Sequence, residues 1–311
     1  MSNHGWTTGW PWTVENLRDE QVSEPVLRPG WVVVELAAMA LNPVDYRLAK
    51  SLPRGLWARK LLGSDFSGRV VKLGNGVNHV AVGDSIYGML SALRGGVSAS
   101  RIAVPAQCLQ KAPAQLDLVD AAAIPLAGLT SLQSLRDHGD LQADQTIFIN
   151  GASGGVGTFG VQIGKAMGAS VVASCSEANR SLVSELGASH VVDYREEDFT
   201  KGERAFDGVY DARGNRSLKD CAKVVRKGGW VVTTEPTVPH LLQQGFNGLR
   251  SVKVHAVLVR STPEDLSQLA TWVDEGQIRP VIDRVYPRQE LRAAYTHLRS
   301  RRARGKLVIR W

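Results

Sequence analysis

The sequence predicts an α/β protein in which a doubly wound, six-stranded parallel sheet is joined to a second, β-rich domain. Three observations predict this fold. Six short apolar segments alternate with helical segments between residues 117 and 261, as in βαβ units. Short predicted strands separated by glycine turns make up the chain before residue 112. A glycine cluster also joins one buried strand to an amphipathic helix, a junction typical of parallel sheets.

The first part of the chain has β character. Residues 1–30 are interpreted as an irregular, tryptophan-rich arm that anchors to the domain, with a lid as the alternative. Residues 31–40 predict a strand, and residues 42–47 predict a polar turn because the proline at the second position disfavours a helical conformation before it. Residues 63–71 predict a glycine turn that enters a strand, and residues 80–87 predict another short β unit.

The middle of the chain predicts the parallel sheet. Its strands are expected at residues 147–150, 171–174, 190–193, 208–211, 230–234 and 253–258. A helix, a strand, a second helix and a closing strand then follow, at residues 265–275, 278–286, 289–299 and 307–309, and the last is expected to rejoin the first domain. The predicted domains are residues 1–116 with 262–311, and residues 117–261.

One stretch carries a dinucleotide fingerprint, with alanine in place of the first glycine: Ala152-x-Gly154-x-x-Gly157. A side chain at Gly154 would block the approach of a pyrophosphate, and Gly157 lets the helix pack close to the strand. The N–H groups at the helix start then face the phosphates. The alternative is a tight turn without a ligand. The sequence favours a Rossmann domain whose loop binds a dinucleotide through Ala152, Ser153, Gly154, Gly155, Val156 and Gly157.

The second predicted strand indicates which dinucleotide is bound. NAD sites usually place Asp or Glu at the end of this strand, about 20 residues past the fingerprint, and this strand ends at Ser176 without one. Ser176 and Arg180 offer a hydroxyl and a guanidinium that suit a 2′-phosphate. Ser176 as a helix cap, Arg180 as a solvated residue and Glu177 on a ribose diol are the alternatives. We predict NADPH.

Bulk properties exclude several classes of protein. The 311 residues include no apolar run of about 18, so no transmembrane helix is expected. The N-terminus resembles no signal peptide, which predicts a cytoplasmic location. Three scattered cysteines predict reduced thiols without a disulfide framework or metal cluster. The net charge is +7, and the cations over residues 299–306 are interpreted as a solvated helix end rather than a nucleic-acid site.

Five motifs together resemble the zinc-independent branch of the medium-chain dehydrogenase/reductase superfamily, over residues 30–311. This branch contains quinone oxidoreductases, alkenal and enone reductases and enoyl-thioester reductases. The resemblance implies a GroES-like catalytic domain beside the Rossmann domain, and a homodimer formed through the edge strand at residues 252–258. The motifs are Asn42-Pro43-Val44-Asp45, Gly63-x-Asp65-x-x-Gly68, Pro125-x-x-x-x-Thr130, Asn150 to Gly157, and Arg304-Gly305-Lys306.

The resemblance also implies site residues. Asn42 stands where zinc-dependent relatives carry a metal ligand, so it is expected to face the nicotinamide. Tyr46 is expected either to donate a hydrogen bond or proton to the substrate, or only to pack as an aromatic residue. Thr130 resembles a position that contacts the nicotinamide carboxamide, with a hydrogen bond to its own helix as the alternative. Tyr194 matches a position near the 2′-phosphate.

The same resemblance implies the reaction. Zinc-dependent relatives need Cys, His and Glu ligands in the turns at residues 42–47 and 63–68, and neither turn contains Cys or His, so no metal is expected. The reaction expected is hydride transfer from NADPH to a quinone or to a C=C bond activated by a carbonyl. Reduction of an iminium, or a non-catalytic NADPH-binding regulator or RNA-binding protein, is the alternative. Arg47, Arg54 and Trp57 either contact an extended substrate or lie on the solvated surface.

Overall fold

The computed structural model describes residues 2–9, 12–51, 60–91, 96–235, 237, 239–240, 244–245 and 247–311. Arg54 and Trp57 lie outside these residues. The chain divides into two compact units. The β-rich unit comprises Met1–Leu126, Arg260–Glu275 and Pro280–Trp311, and the parallel-sheet unit comprises Ala127–Val259 and Gly276–Arg279.

The β-rich unit contains a small antiparallel sheet and a larger mixed sheet. Its first elements are β1 (His4–Thr8), β2 (Arg18–Gln21), β3 (Trp31–Leu41), α1 (Pro43–Ser51), β4 (Lys60–Leu61), β5 (Asp65–Leu73), β6 (Ser85–Met89), β7 (Arg101–Pro105), β8 (Leu109–Lys111) and α2 (Leu118–Ala121). The small sheet has the order β2-β1-β4. Strand β3 is the centre of the large sheet, where it pairs with β5 and β7.

Two predictions for this unit were wrong. The N-terminal arm is not irregular, because β1 and β2 pair in it, and the polar sequence of β2 gives little strand signal without its partner. Residues 42–47 do not form an isolated turn, because helix α1 begins at Pro43. Proline suits the first position of a helix, where its missing N–H would have no partner in any case, and the restriction it imposes falls on Asn42, outside the helix.

The parallel-sheet unit has the six strands that the sequence predicts. Its elements are α3 (Pro125–Gln133), whose first two residues belong to the β-rich unit, β9 (Thr146–Asn150), α4 (Gly155–Ala166), β10 (Ser170–Cys175), α5 (Arg180–Glu185), β11 (His190–Asp193), β12 (Phe206–Asp211), α6 (Leu218–Cys221), β13 (Val225–Thr233) and β14 (Lys253–Ala256). All pairings are parallel and the order is β11-β10-β9-β12-β13-β14, the doubly wound order. The carboxyl ends of β9, β10 and β12 therefore meet at one edge.

The last segment completes the β-rich unit with α7 (Pro263–Asp274), β15 (Ile282–Pro287), α8 (Leu291–Ser300) and β16 (Lys306–Arg310). Strand β16 pairs with β3 and β15, so the chain rejoins its first domain as predicted. Each unit has its own apolar core. Among the described residues, every helix is too short or too polar to cross a bilayer.

Candidate cofactor and substrate sites

The glycine-rich loop between β9 and α4 combines a tight turn with an open cradle. Gly151 has a φ of 81°, a conformation that favours glycine. A Cβ added to Gly157 would lie 2.2 Å from the Gly151 carbonyl oxygen, so only glycine lets the helix pack on the loop. A Cβ added to Gly154 would meet nothing closer than that oxygen, at 3.6 Å. The space beside Gly154 is therefore open to a ligand.

Helix α4 presents its N-terminus to this space. Gly154 is the N-cap in an extended conformation, so no side chain covers the first N–H groups of the 12-residue helix. Ala152 is buried and its N–H donates to the Ser174 carbonyl at 2.9 Å, which fixes the loop. Ser153, Gly155 and Val156 remain half-buried around the cradle. This geometry fits the pyrophosphate of a dinucleotide.

A buried polar network that the sequence motifs do not predict holds the loop on the side of the sheet. The Asn150 amide donates to the carboxylate of Asp211 and to the side-chain oxygen of Asn215, both at 2.8 Å. The Ser174 hydroxyl donates to Asn150 Oδ1 at 2.9 Å, and Gly151 N–H donates back to that hydroxyl at 3.3 Å. Burial raises the pKa of Asp211, while hydrogen bonds from Asn150 and backbone N–H groups oppose the shift. In the sequence these residues could have been recognised as polar residues at the ends of apolar strands.

The predicted 2′-phosphate residues meet beside the ends of β10 and β11. Ser176 does not cap the following turn, and its hydroxyl accepts from the Asn179 amide at 3.2 Å. Arg180 donates through Nε to the Glu177 carboxylate at 2.6 Å and through Nη1 to the Val191 carbonyl at 2.6 Å. Tyr194 is exposed. Its N–H donates to the Cys175 carbonyl, next to Ser176.

Glu177 is thus held inside the predicted phosphate site. Its N–H donates to the Asp193 carboxylate at 2.9 Å, while its own carboxylate pairs with Arg180. A backbone hydrogen bond from Arg195 keeps the pKa of Asp193 below its usual value. The Arg180 guanidinium is therefore partly neutralised by an acid next to it. Thr130, the remaining predicted cofactor residue, is buried in α3.

The β-rich unit contains a buried polar cluster around Lys306. The Lys306 ammonium donates to Asn42 Oδ1 and to Asp65 Oδ2, the latter at 3.1 Å. The Asn42 amide donates to the same Asp65 oxygen at 2.9 Å, and Leu126 N–H donates to the other oxygen at 2.7 Å. Burial raises the pKa of Asp65, and the Lys306 charge opposes the shift. The interpretation of residues 299–306 as a solvated helix end was wrong for Lys306, because β16 carries this residue into the core.

Asp45 extends this cluster to α1. Its carboxylate accepts from Asn42 N–H at 2.9 Å and from the Ser64 hydroxyl at 2.8 Å, so it caps the start of α1 from inside the helix. Burial raises the pKa of Asp45 to about 7, against the effect of these two hydrogen bonds. Asp45 therefore joins α1 to the loop before β5.

Tyr46 follows Asp45 and lies in an aromatic group with Trp12 and Tyr295. The Trp12 and Tyr46 rings stack with centroids 5.8 Å apart, and Trp12 meets Tyr295 edge-on at 5.7 Å. Tyr46 is largely buried. Asn42 and Tyr46 lie in the β-rich unit, whereas the ten predicted cofactor residues lie in the parallel-sheet unit.

The polar cluster does not fit zinc. Zinc sites in proteins use Cys, His and carboxylate ligands, and the turns at residues 42–47 and 63–68 offer no Cys or His. The Lys306 ammonium already lies between the Asn42 and Asp65 oxygens, and its charge would repel a second cation there. Across the described ranges, no three His, Cys, Asp or Glu residues are arranged to hold a metal.

Comparisons with protein families agree with the two-unit architecture. The family model described as alcohol dehydrogenase GroES-like domain matches residues 28–114, and the model described as zinc-binding dehydrogenase matches residues 186–309. The chain is 33% identical to the trans-enoyl reductase pgmF of Aspergillus terreus, over 91% of this chain and 87% of that protein. It is also 33% identical to 2-methylene-furan-3-one reductase of Solanum lycopersicum, over 94% of this chain and 74% of that protein.

Two further similarities extend the match. The chloroplast envelope quinone oxidoreductase homolog of Arabidopsis thaliana is 29% identical, over 94% of this chain and 93% of that protein. The solved quinone oxidoreductase of Coxiella burnetii superposes with a TM-score of 0.91 and 25% identity, over the full length of both chains. The chain therefore belongs to the medium-chain dehydrogenase/reductase superfamily, among its quinone oxidoreductase-like and enoyl reductase-like members.

Proposed function

We propose that this oxidoreductase uses NADPH to reduce a quinone or a C=C bond activated by a carbonyl, as in an enone, an enoyl ester or an enoyl thioester, without zinc. The observation that carries the proposal is the Lys306 ammonium between Asn42 and Asp65, in a buried cluster whose residues do not fit zinc. Without a Lewis acid, hydride addition needs an acceptor with its own electron sink. A conjugated carbonyl provides one, because the charge is delocalised as an enolate.

The cradle at Gly154 and the uncapped start of α4 support dinucleotide binding. When bound, the reduced nicotinamide supplies a hydride from C4 to the β-carbon of the acceptor. In this proposal Ser176, Arg180 and Tyr194 hold the 2′-phosphate and Thr130 contacts the carboxamide. The Glu177–Arg180 pair opens when the phosphate takes the guanidinium, since a phosphate is a strong bidentate partner for Arg.

Tyr46 is our candidate donor to the enolate oxygen. Its phenol ring is packed against Trp12, and a phenol hydroxyl can donate a hydrogen bond or a proton to a substrate oxygen. Asn42 has both polar side-chain atoms engaged in the Lys306 cluster. We therefore expect Asn42→Ala to disturb the cluster, and a contact of Asn42 with the nicotinamide stays a prediction.

The test follows NADPH consumption with a 1,4-quinone, an alkyl enone, an enoyl thioester and no substrate. Turnover with one of these classes supports the proposal and names the acceptor. Equal catalytic efficiencies with NADPH and NADH would contradict the cofactor assignment. NADPH binding without turnover on the whole panel would contradict the reductase, and would direct attention to an iminium substrate or a binding role.

We also propose a homodimer, a cytoplasmic location and no nucleic-acid partner. Strand β14 is the last strand of the parallel sheet, and an edge of this kind can pair with a second copy. Sedimentation at micromolar concentration tests the dimer, and a monomer would contradict it. Fractionation of cells tests the location, since the printed names of some relatives place them in chloroplasts or mitochondria.

A further inference from the structure

The N-terminal arm brings a tryptophan onto the face of the candidate proton donor. Trp12 and Tyr46 stack with an interplanar angle of 29°, and Tyr295 closes the group edge-on at 78°. All three side chains are more than nine-tenths buried. Among the residues that the structure describes, Trp12 Nε1 and the Tyr295 hydroxyl find no hydrogen-bond partner. Packing therefore holds these rings, and the two unpaired groups are a cost that phenylalanine would avoid.

The arm is fixed at both sides of Trp12. The Trp6 indole N–H donates to the Arg288 carbonyl at 2.9 Å, and Arg292 donates to the Leu17 carbonyl. Thr13 caps the short turn Val14–Asn16 that follows Trp12. These contacts anchor the arm to the β-rich unit on both sides of Trp12.

We propose that Trp12 is a positioning residue for Tyr46: the indole face holds the phenol ring in the orientation in which its hydroxyl reaches the substrate oxygen. The inference rests on the proposed function of Tyr46 as donor. A stacked ring restricts the phenol to one rotamer and excludes water from one of its faces, and loss of such positioning costs rate rather than binding.

The first experiment does not need turnover. The six tyrosines are replaced by 3-fluorotyrosine, and the fluorine signal that disappears in Tyr46→Phe is assigned to residue 46. Trp12→Leu should shift or broaden this signal, and Trp12→Phe should leave it closer to the native position. The matched control is Trp31→Leu, which removes a half-buried tryptophan of the same unit whose ring contacts Arg28, and this change should leave the signal in place. An unchanged signal in Trp12→Leu would overturn the inference.

The second experiment measures coupling in the active enzyme. Trp12→Leu should lower kcat about tenfold to a hundredfold while KM for NADPH stays within about twofold, and Trp12→Phe should restore most of the loss. In a Tyr46→Phe background, Trp12→Leu should add little, because both changes remove one function. If the fold losses in kcat of the two single variants multiply in the double variant, the inference is overturned. Absence of turnover in the wild type would instead contradict the proposed function, and the fluorine signal would still report whether Trp12 orders the Tyr46 ring.

Discussion

The ammonium of Lys306 lies 3.1 Å from the Asp65 carboxylate, and the two side chains are 3% and 0% exposed. The pair joins the first residue of β16 to the first residue of β5, and Asn42 completes it at the end of β3. A buried charge pair of this kind costs much desolvation, and the hydrogen bonds from Asn42 and Leu126 to Asp65 help to offset it. The cluster therefore joins the end of β3, where α1 begins, to the first residues of β5 and β16.

Removal of the Lys306 charge should destabilise the protein strongly. Lys306→Met leaves the buried Asp65 carboxyl without its cationic partner, and we expect the free energy of unfolding to fall by about 3–5 kcal/mol. Denaturant titration measures the change. The control is Lys223→Met, which breaks the exposed Lys223–Asp220 pair and should change the free energy of unfolding little. Equal losses in the free energy of unfolding for the two variants would contradict a larger effect of the buried pair.

The raised pKa of Asp45 should appear in the pH dependence of stability. In the unfolded chain this carboxyl loses its proton near its usual pKa of 3.8, whereas the folded protein keeps the proton until about pH 7. Between these values the folded state binds more protons, so stability falls as pH rises, by at most about 1.4 kcal/mol per pH unit from this group.

Asp45→Asn isolates this effect, because the amide oxygen can still accept from Asn42 N–H and the amide nitrogen can face the Ser64 hydroxyl. Asp65 and Lys306 remain in both proteins. The stability of the wild type relative to Asp45→Asn should therefore decline from pH 4.5 to 7 and then level off. If denaturant unfolding gives the same pH dependence of stability for the two proteins, the raised pKa of Asp45 is contradicted.

The two glycines of the loop should separate folding from cofactor binding. Gly157→Ala places a Cβ 2.2 Å from the Gly151 oxygen, so we expect a loss of about 1–3 kcal/mol in stability as well as weaker binding. Gly154→Ala meets no close protein atom and should fold normally, but its Cβ projects into the open cradle. We expect its NADPH affinity to fall at least about tenfold. Native affinity of Gly154→Ala, measured by fluorescence titration, would place the pyrophosphate elsewhere.

Cofactor preference should depend on the Glu177–Arg180 pair. Arg180→Ala should lower the NADPH-to-NADH ratio of catalytic efficiencies about tenfold, the effect of one charge-assisted contact. Glu177→Gln should raise this ratio, because the guanidinium is then freed for the phosphate. The control is Arg226→Ala, which changes an exposed Arg–Asp pair near the start of β13 and should leave the ratio unchanged. An unchanged ratio in Arg180→Ala would remove Arg180 from the phosphate site.

Local sequence patterns determined the parallel sheet and its loop. The alternation of apolar segments located all six strands, and the glycine spacing placed the turn at Gly154 and Gly157, because period and turn chemistry are encoded by neighbouring residues. The chain order of these segments was also sufficient to predict that β16 rejoins the first domain.

Only the tertiary structure decided which distant residues meet. Lys306 follows Asn42 by 264 residues in the chain. Its position in a cationic segment predicted a solvated side chain, whereas the pairing of β16 with β3 carries this side chain into the core. Glu177 stood as an alternative to Arg180 in the sequence, whereas the structure pairs the two. Trp12 stacks on Tyr46 because the arm forms strands with partners elsewhere in the chain. Pairing and burial of this kind depend on the path of the whole chain, so no local pattern specifies them.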